Sequence, residues 1–276
     1  MTQNQTPPQG RLDKDMIAQP ELWRLVMLLQ PRRLDVVLIP PVESEYAIYR
    51  SILLDDEKSR LKAIESAIYD NPLLLSDFKR VDCLVDTAAS MMIPAEVAPA
   101  DYGVIMARAF SCNSDTPLTV SATGTETAIS VMALDPEIRG FLTRTFYNIR
   151  FDNALAILCR NFAPISEKLS VIASLHHGRL DIVILNTGRL LAASTFDITA
   201  DTDAAFFIEA AMAEYDVNRN TSVTVCGAPE FRSSIAAILA DDGISVDAPQ
   251  LPPLKFKIDT GTSAMPAQLN LSFITQ

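Results

Sequence analysis

His176 and His177 are the only histidines in the chain, and imidazoles are the groups best suited to bind a metal or move a proton near neutral pH. Neighbours at a strand turn send their side chains to opposite sides. No cysteine or matched carboxylate stands at a ligand spacing from them, so the pair reads as filling a turn. The four cysteines, at 83, 112, 159 and 226, include no C-x-x-C pair that would bring two thiolates to one metal or one redox turn. Cys83, Cys159 and Cys226 sit inside apolar runs and read as small buried hydrophobes, reduced and structural. Asp197, Asp201 and Asp203 resemble part of a calcium loop. The twelfth position from Asp197 is Ile208 and no glycine intervenes, which leaves helix capping. Asp35, Asp86 and Asp181 lie in or just after strands, and a two-metal nuclease would need three or four such carboxylates converging. The strand before Asp35 supplies none. There is no P-loop, no nucleophile elbow and no dinucleotide-binding glycine motif. No catalytic residue and no metal-ligating set is expected.

The surface on which any site would sit is acidic. The 276 residues carry 34 acidic against 23 basic side chains, a formal net charge of −11. Such a surface repels phosphate backbones and anionic head groups, so nucleic acid and membrane surface are excluded as default partners. With 49% hydrophobic residues and only nine glycines, the chain can bury a sizeable core and is not a disordered or linker protein. Met1 to Gln19 is polar and lacks the apolar stretch of a signal peptide. No run of 18 apolar residues offers a membrane span. The expected location is cytoplasmic.

The elements that would position a site occur in an order that repeats. Three strands, LWRLVMLLQ, RLDVVLIP and YAIYRSILL, precede a helix that the acidic trio Asp55-Asp56-Glu57 suits at its N-terminus, with Leu61, Ile64 and Ile68 on one stripe. VDCLVD follows as a buried strand. From residue 169 the same order returns: LSVIASL, RLDIVIL and RLLAASTF, joined by turns at His177-Gly178 and Thr187-Gly188, then a helix opened by Asp197, Thr199 and Asp201 and running to about Tyr215, then SVTVCG. The second strands both begin Arg-Leu-Asp, at 33–35 and 179–181. Internal duplication is the most informative feature of the sequence. Further helices are expected at 101–110, from Asp135-Pro136-Glu137 to about Tyr147, at 153–162, and from Pro229 to Gly243, with strands at TAISVMAL and ISVD. LNLSFI, near the end, reads as an edge strand.

Three antiparallel strands with a right-handed crossover to a parallel fourth define a mixed sheet with helices on its faces. The fold class is α/β with mixed sheets: a duplicated ribonuclease-H-like unit, as in the actin-like ATPase fold. The expected organisation is a disordered tail over 1–20, a first lobe over 21–150, a second over 151–250, and a proline-rich segment over 251–276. The stretch GRLDIVILNTGRLLAASTFDITADTDAAFFIEAAMAEYDV, followed by VTVCGAPEFRSSIAAIL, resembles a family of uncharacterised Bacteroidota proteins, clearly over 178–240. That resemblance implies the actin-like fold and no assigned activity.

The resemblance to actin-like proteins also implies where a nucleotide would bind. Active members carry an Asp-x-Gly turn between the first two strands of each half, whose amides grip phosphates while the aspartate holds hydrated Mg²⁺. Here those turns read Leu29-Gln30-Pro31-Arg32 and Leu175-His176-His177-Gly178, without a carboxylate, and Pro31 removes a donor. Gly227 stands where a third, Gly-Gly turn is expected. The candidate cofactor-binding positions are Arg32, Arg33, His177, Gly178 and Gly227. The expectation is a non-catalytic actin-like protein with no cofactor, acting by self-association or through a protein partner. The alternative is a nucleotide-binding protein or weak ATPase with ATP and Mg²⁺ in a degenerate cleft.

Overall fold

In the apolar run Arg24–Leu29 side chains alternate between two cores, Leu25, Met27 and Leu29 to one and Val26 and Leu28 to the other, so this segment, β1, is covered on both faces. The protein is described here from a computed structural model over residues 11–41, 46–113, 116–165, 168–250, 256–258 and 265–272. After β1 come β2 (Arg33–Ile39), β3 (Ala47–Leu53), α1 (Arg60–Tyr69) and β4 (Arg80–Val85). β1 is antiparallel to β2 and parallel to β4, and β2 is antiparallel to β3. The chain then forms β5 (Ser90–Pro94), α2 (Tyr102–Phe110), β6 (Leu118–Ala122) and β7 (Ala128–Ala133). These three strands make a separate sheet with its own small core of Ile93, Tyr102, Met106 and Val131. α3 (Pro136–Thr145) and β8 (Ile149–Asn153) complete the first lobe, β8 lying parallel to β4, and α4 (Ala154–Phe162) leads to the second lobe.

The second lobe repeats the first: β9 (Ser170–His176), β10 (Arg179–Asn186), β11 (Arg189–Asp197), α5 (Asp201–Glu214), β12 (Val223–Cys226), α6 (Pro229–Ala240) and β13 (Val246–Asp247). Its sheet order, β11-β10-β9-β12-β13, matches β3-β2-β1-β4-β8 strand for strand. The chain then returns to the first lobe, where β14 (Phe256–Ile258) pairs in parallel with β3. Finally α7 (Ala267–Leu271) packs with α4 and β1. The inner faces of the two sheets share one apolar cluster, with Val26, Leu28 and Val37 on one side and Ile172, Val183 and Leu185 on the other. Leu155 and Leu158 of α4 and Leu269 and Leu271 of α7 belong to the same cluster.

Four local expectations change. The acidic trio 55–57 precedes α1 without entering it: Asp55 accepts from the Glu57 amide and pairs with Lys58, while Ser59 caps the helix. Residues 11–23, read as the end of a loose tail and the start of a strand, instead pack, with Leu12, Ile17 and Trp23 buried and the Leu12 amide donating to Asn71 Oδ1 at 2.9 Å. LNLSFI is not an edge strand over its described part, since Leu269 and Leu271 belong to α7; Phe273 and Ile274 lie outside the described residues. A five-residue helix buried on most sides shows apolar alternation whichever period it follows. β5, β6 and β8 are additional strands of five residues each, and in β6 it is Thr119 and Ser121 that are buried and Val120 that is exposed, which inverts the period-2 signal.

Candidate functional site

Each lobe presents one hairpin to the other. In the first, Leu29 pairs with Leu34 and the Gln30 amide donates to the Arg33 carbonyl at 2.9 Å, so Pro31 and Arg32 form the loop. In the second, His176 pairs with Arg179, and His177 (φ +49°) and Gly178 (φ +77°) form the loop. Two consecutive positive φ values match the twist of the flanking strands, and glycine adopts the second without Cβ strain. The register makes Gln30 equivalent to His176, Arg33 to Arg179 and Asp35 to Asp181.

Of these equivalent pairs, Gln30 and His176 meet across the lobes. Gln30 Nε2 stands 3.1 Å from His176 Nδ1, both side chains buried. Arg179 crosses from β10 to Asp86, just past β4, with Nε to Oδ2 at 2.9 Å and Nη2 to Oδ1 at 2.6 Å. Its remaining nitrogen donates to Asp197 Oδ1 at 2.6 Å. His177 Nε2 lies 3.3 Å from Asp35 Oδ2, within charge attraction but outside hydrogen-bond geometry. Within the lobes, Tyr49 donates to Asp35 Oδ1 at 3.1 Å. Asp181 accepts from Thr195, from His176 Nε2 at 3.0 Å, and from Gln268 on α7.

The electrostatics follow from this crowding. Burial opposes a charge on His176, but the hydrogen bond to Asp181 and the charges of Asp181, Asp86 and Asp35 outweigh it and hold the ring above the ordinary imidazole value. Burial likewise works against the Arg179 charge, and Asp86 and Asp197 more than offset it, so its pKa is raised. Burial, reinforced by the Asp35 carboxylate, raises the Tyr49 phenol. Gln30 suits either state of its partner. Beside a neutral ring its Nε2 donates to Nδ1; beside a doubly protonated ring the amide must present oxygen instead, because Nδ1 then donates. Cys83, Cys159 and Cys226, all buried, have their thiols pushed up to about 12, chiefly by burial, which keeps them from acting as nucleophiles.

The sequence-derived positions are spread over the two hairpins and the residue after β12. Arg32 is exposed at the first hairpin tip, and Arg33 turns to Ser51 Oγ in its own lobe, at 3.0 Å. His177 reaches across to Asp35, while the Gly178 carbonyl accepts from the Ile198 amide. Gly227, at φ +152°, ends β12, and a Cβ there would stand 3.2 Å from the Phe231 ring. The histidine pair does more than fill a turn, since each ring faces a different buried aspartate. Sequence reasoning gives Arg179 and Gln268 no site role, weighs Asp35 and Asp86 only as nuclease carboxylates, and includes Gln30 only as part of the first turn. The one available signal was the Arg-Leu-Asp triplet shared by β2 and β10. Among the described residues no group of three or more His, Cys, Asp or Glu could hold a metal ion. Among them, too, no helix is long and apolar enough to cross a membrane.

Comparison with known proteins agrees with the topology. A family model described as "Protein of unknown function (DUF3822)" matches residues 13–240. A solved Bacteroides thetaiotaomicron protein, described as having an actin-like ATPase fold and unknown function, superposes with a TM-score of 0.77 at 14% identity, covering 97% of this chain and 100% of that one. The PilM–PilN type IV pilus biogenesis complex matches with a TM-score of 0.53 at 11% identity, over 87% of this chain and 91% of that one. No curated protein matches the sequence significantly.

Proposed function

The chain belongs to the DUF3822 family and has the actin-like ATPase fold, and from that premise we propose that it works without catalysis, as a scaffold or assembly factor in contact with other proteins. The observation that carries this reading is the direct bridge between the lobes: Gln30 on His176 at 3.1 Å, and Arg179 on Asp86 through two hydrogen bonds. A triphosphate held between the hairpins would have to separate these groups. Arg179 and Asp86 side chains are only 13% and 6% exposed, so separating them would leave the Asp86 carboxylate buried without its cation. Neither hairpin loop offers a carboxylate for Mg²⁺, and Pro31 offers no amide. Of the aspartates that reach the junction, 86 and 181 already accept from Arg179, His176, Thr195 and Gln268, and Asp35 accepts from Tyr49 through Oδ1 while its buried Oδ2 makes no hydrogen bond. The Arg179–Asp86 bridge and the missing loop carboxylates support a junction that does not take Mg-ATP.

Contact work is supported by analogy of fold alone, through the neighbour described as part of a pilus biogenesis complex. A cytoplasmic setting is supported by four free cysteines, three of them buried. The test is a thermal-shift titration with ATP and Mg²⁺. Ligand at a hundred times its Kd stabilises by about 2.7 kcal/mol; a flat response is expected. A saturable upward shift would overturn the reading in favour of a nucleotide-binding protein or weak ATPase.

A further inference from the structure

Among the described residues, the edge strand of one lobe is paired and its equivalent in the other is not. In the first lobe the edge strand β3 is covered by β14, which pairs in parallel along Ala47–Tyr49. Its equivalent in the second lobe, β11, is the last strand of its sheet, and among the described residues nothing pairs with its outer side. A β-bulge between Ile184 and Leu185 of the partner strand interrupts the ladder near Leu191, leaving Ala192–Asp197 as the regular stretch. Unpaired strand edges are templates for another strand.

Two more features lie beside this edge. Phe196 of β11 stacks on Phe207 of α5 with ring centroids 4.3 Å apart, and Phe206 meets Phe207 edge-on at 5.5 Å. The row ends at Phe206, which is 65% exposed. Around the rings α5 carries Asp201, Asp203, Glu209 and Glu214 and no basic residue.

We infer that β11 is a docking edge for an extended segment of a partner protein, apolar and basic in alternation, which adds as a strand along Ala192–Asp197. Main-chain hydrogen bonds supply the attachment. The aromatic row receives an apolar side chain at its exposed end, and the acidic face of α5 selects lysine or arginine between the apolar positions. The sequence itself carries such a pattern in Leu254-Lys255-Phe256-Lys257-Ile258, of which Phe256–Ile258 form β14. The inference rests on the reading that the protein works through contacts, and gives that reading a surface and a partner chemistry.

The probe is a fluorescent, end-capped peptide spanning residues 252–260, titrated against the full chain by anisotropy. Binding is expected, weakened about tenfold by Phe206→Ala and lost when both peptide lysines become glutamate. N-methylating the amides of residues 255 and 257 in one peptide, and of 254, 256 and 258 in another, should abolish binding in one case and leave it within about twofold in the other, since alternate amides face the edge. A benzoylphenylalanine in place of Phe256 should cross-link to β11 or α5. No binding, equal tolerance of both N-methyl patterns, or cross-linking to β3 would each overturn the inference. So would self-association of the chain that Phe206→Ala removes, because the edge would then belong to a second copy. None of these outcomes depends on the nucleotide titration, so the two readings fail separately.

Discussion

Arg179 is held by Asp86 on one side and Asp197 on the other, and only the first of these partners is buried and in the opposite lobe. Removing a partner from a buried pair leaves an uncompensated charge, whereas replacing both members by apolar groups does not. Asp86→Leu should therefore lower unfolding stability by about 3 kcal/mol, and the double change Asp86→Leu with Arg179→Met should recover most of that loss. Urea denaturation of the two variants measures it. His176 makes a pH-dependent contribution of definite sign. Its folded pKa is raised above the unfolded value, so the stabilisation is complete below about pH 6.5 and is lost as pH rises through the folded value. The stability gap between the wild-type chain and His176→Gln should shrink as pH rises above about 6.5. A gap that widened would contradict the placement of His176 among Asp181, Asp86 and Asp35.

At the scale of elements, what was legible in the sequence depended on how local the cause was. Asp135-Pro136-Glu137 marks the start of α3 because the cap acts on neighbouring amides: Asp135 Oδ1 accepts from Glu137 at 2.8 Å and from Ile138 at 3.2 Å. Asp135→Ala should cost about 1 kcal/mol, seen as a lowered urea midpoint. The Thr187-Gly188 turn was likewise readable, and both residues have positive φ. The bridge between the lobes was not readable, because its partners lie far apart: 93 residues separate Asp86 from Arg179, and 146 separate Gln30 from His176. No periodicity or cap records a contact at that range. The strands β5, β6 and β8 escaped for a different reason: each has only five residues, and in β6 Thr119 and Ser121 are buried while Val120 is exposed, so hydropathy runs opposite to burial.

For the whole molecule, the duplication visible in two Arg-Leu-Asp strands extends to complete sheets with matching order. The lobes are joined by a shared core to which α4 and α7 contribute from between the sheets. A core common to both lobes makes them one cooperative unit. The single tryptophan, Trp23, reports on the first lobe, while far-ultraviolet circular dichroism reports on both, and their unfolding curves should coincide. Leu269 is fully buried in α7. Leu269→Ala should shift both curves together by about 2–5 kcal/mol; separation of the two would show that the lobes unfold independently.

Two residues that occupy corresponding places in the halves and also touch each other must flank the axis that relates those halves, and Gln30 and His176 do both. At such a place two identical side chains would confront like with like, imidazole with imidazole. A glutamine opposite a histidine breaks that tie. By swinging its amide through half a turn it can answer the ring before and after the ring gains a proton, so the seam stays fastened across a change in acidity that a pair of histidines would meet with repulsion.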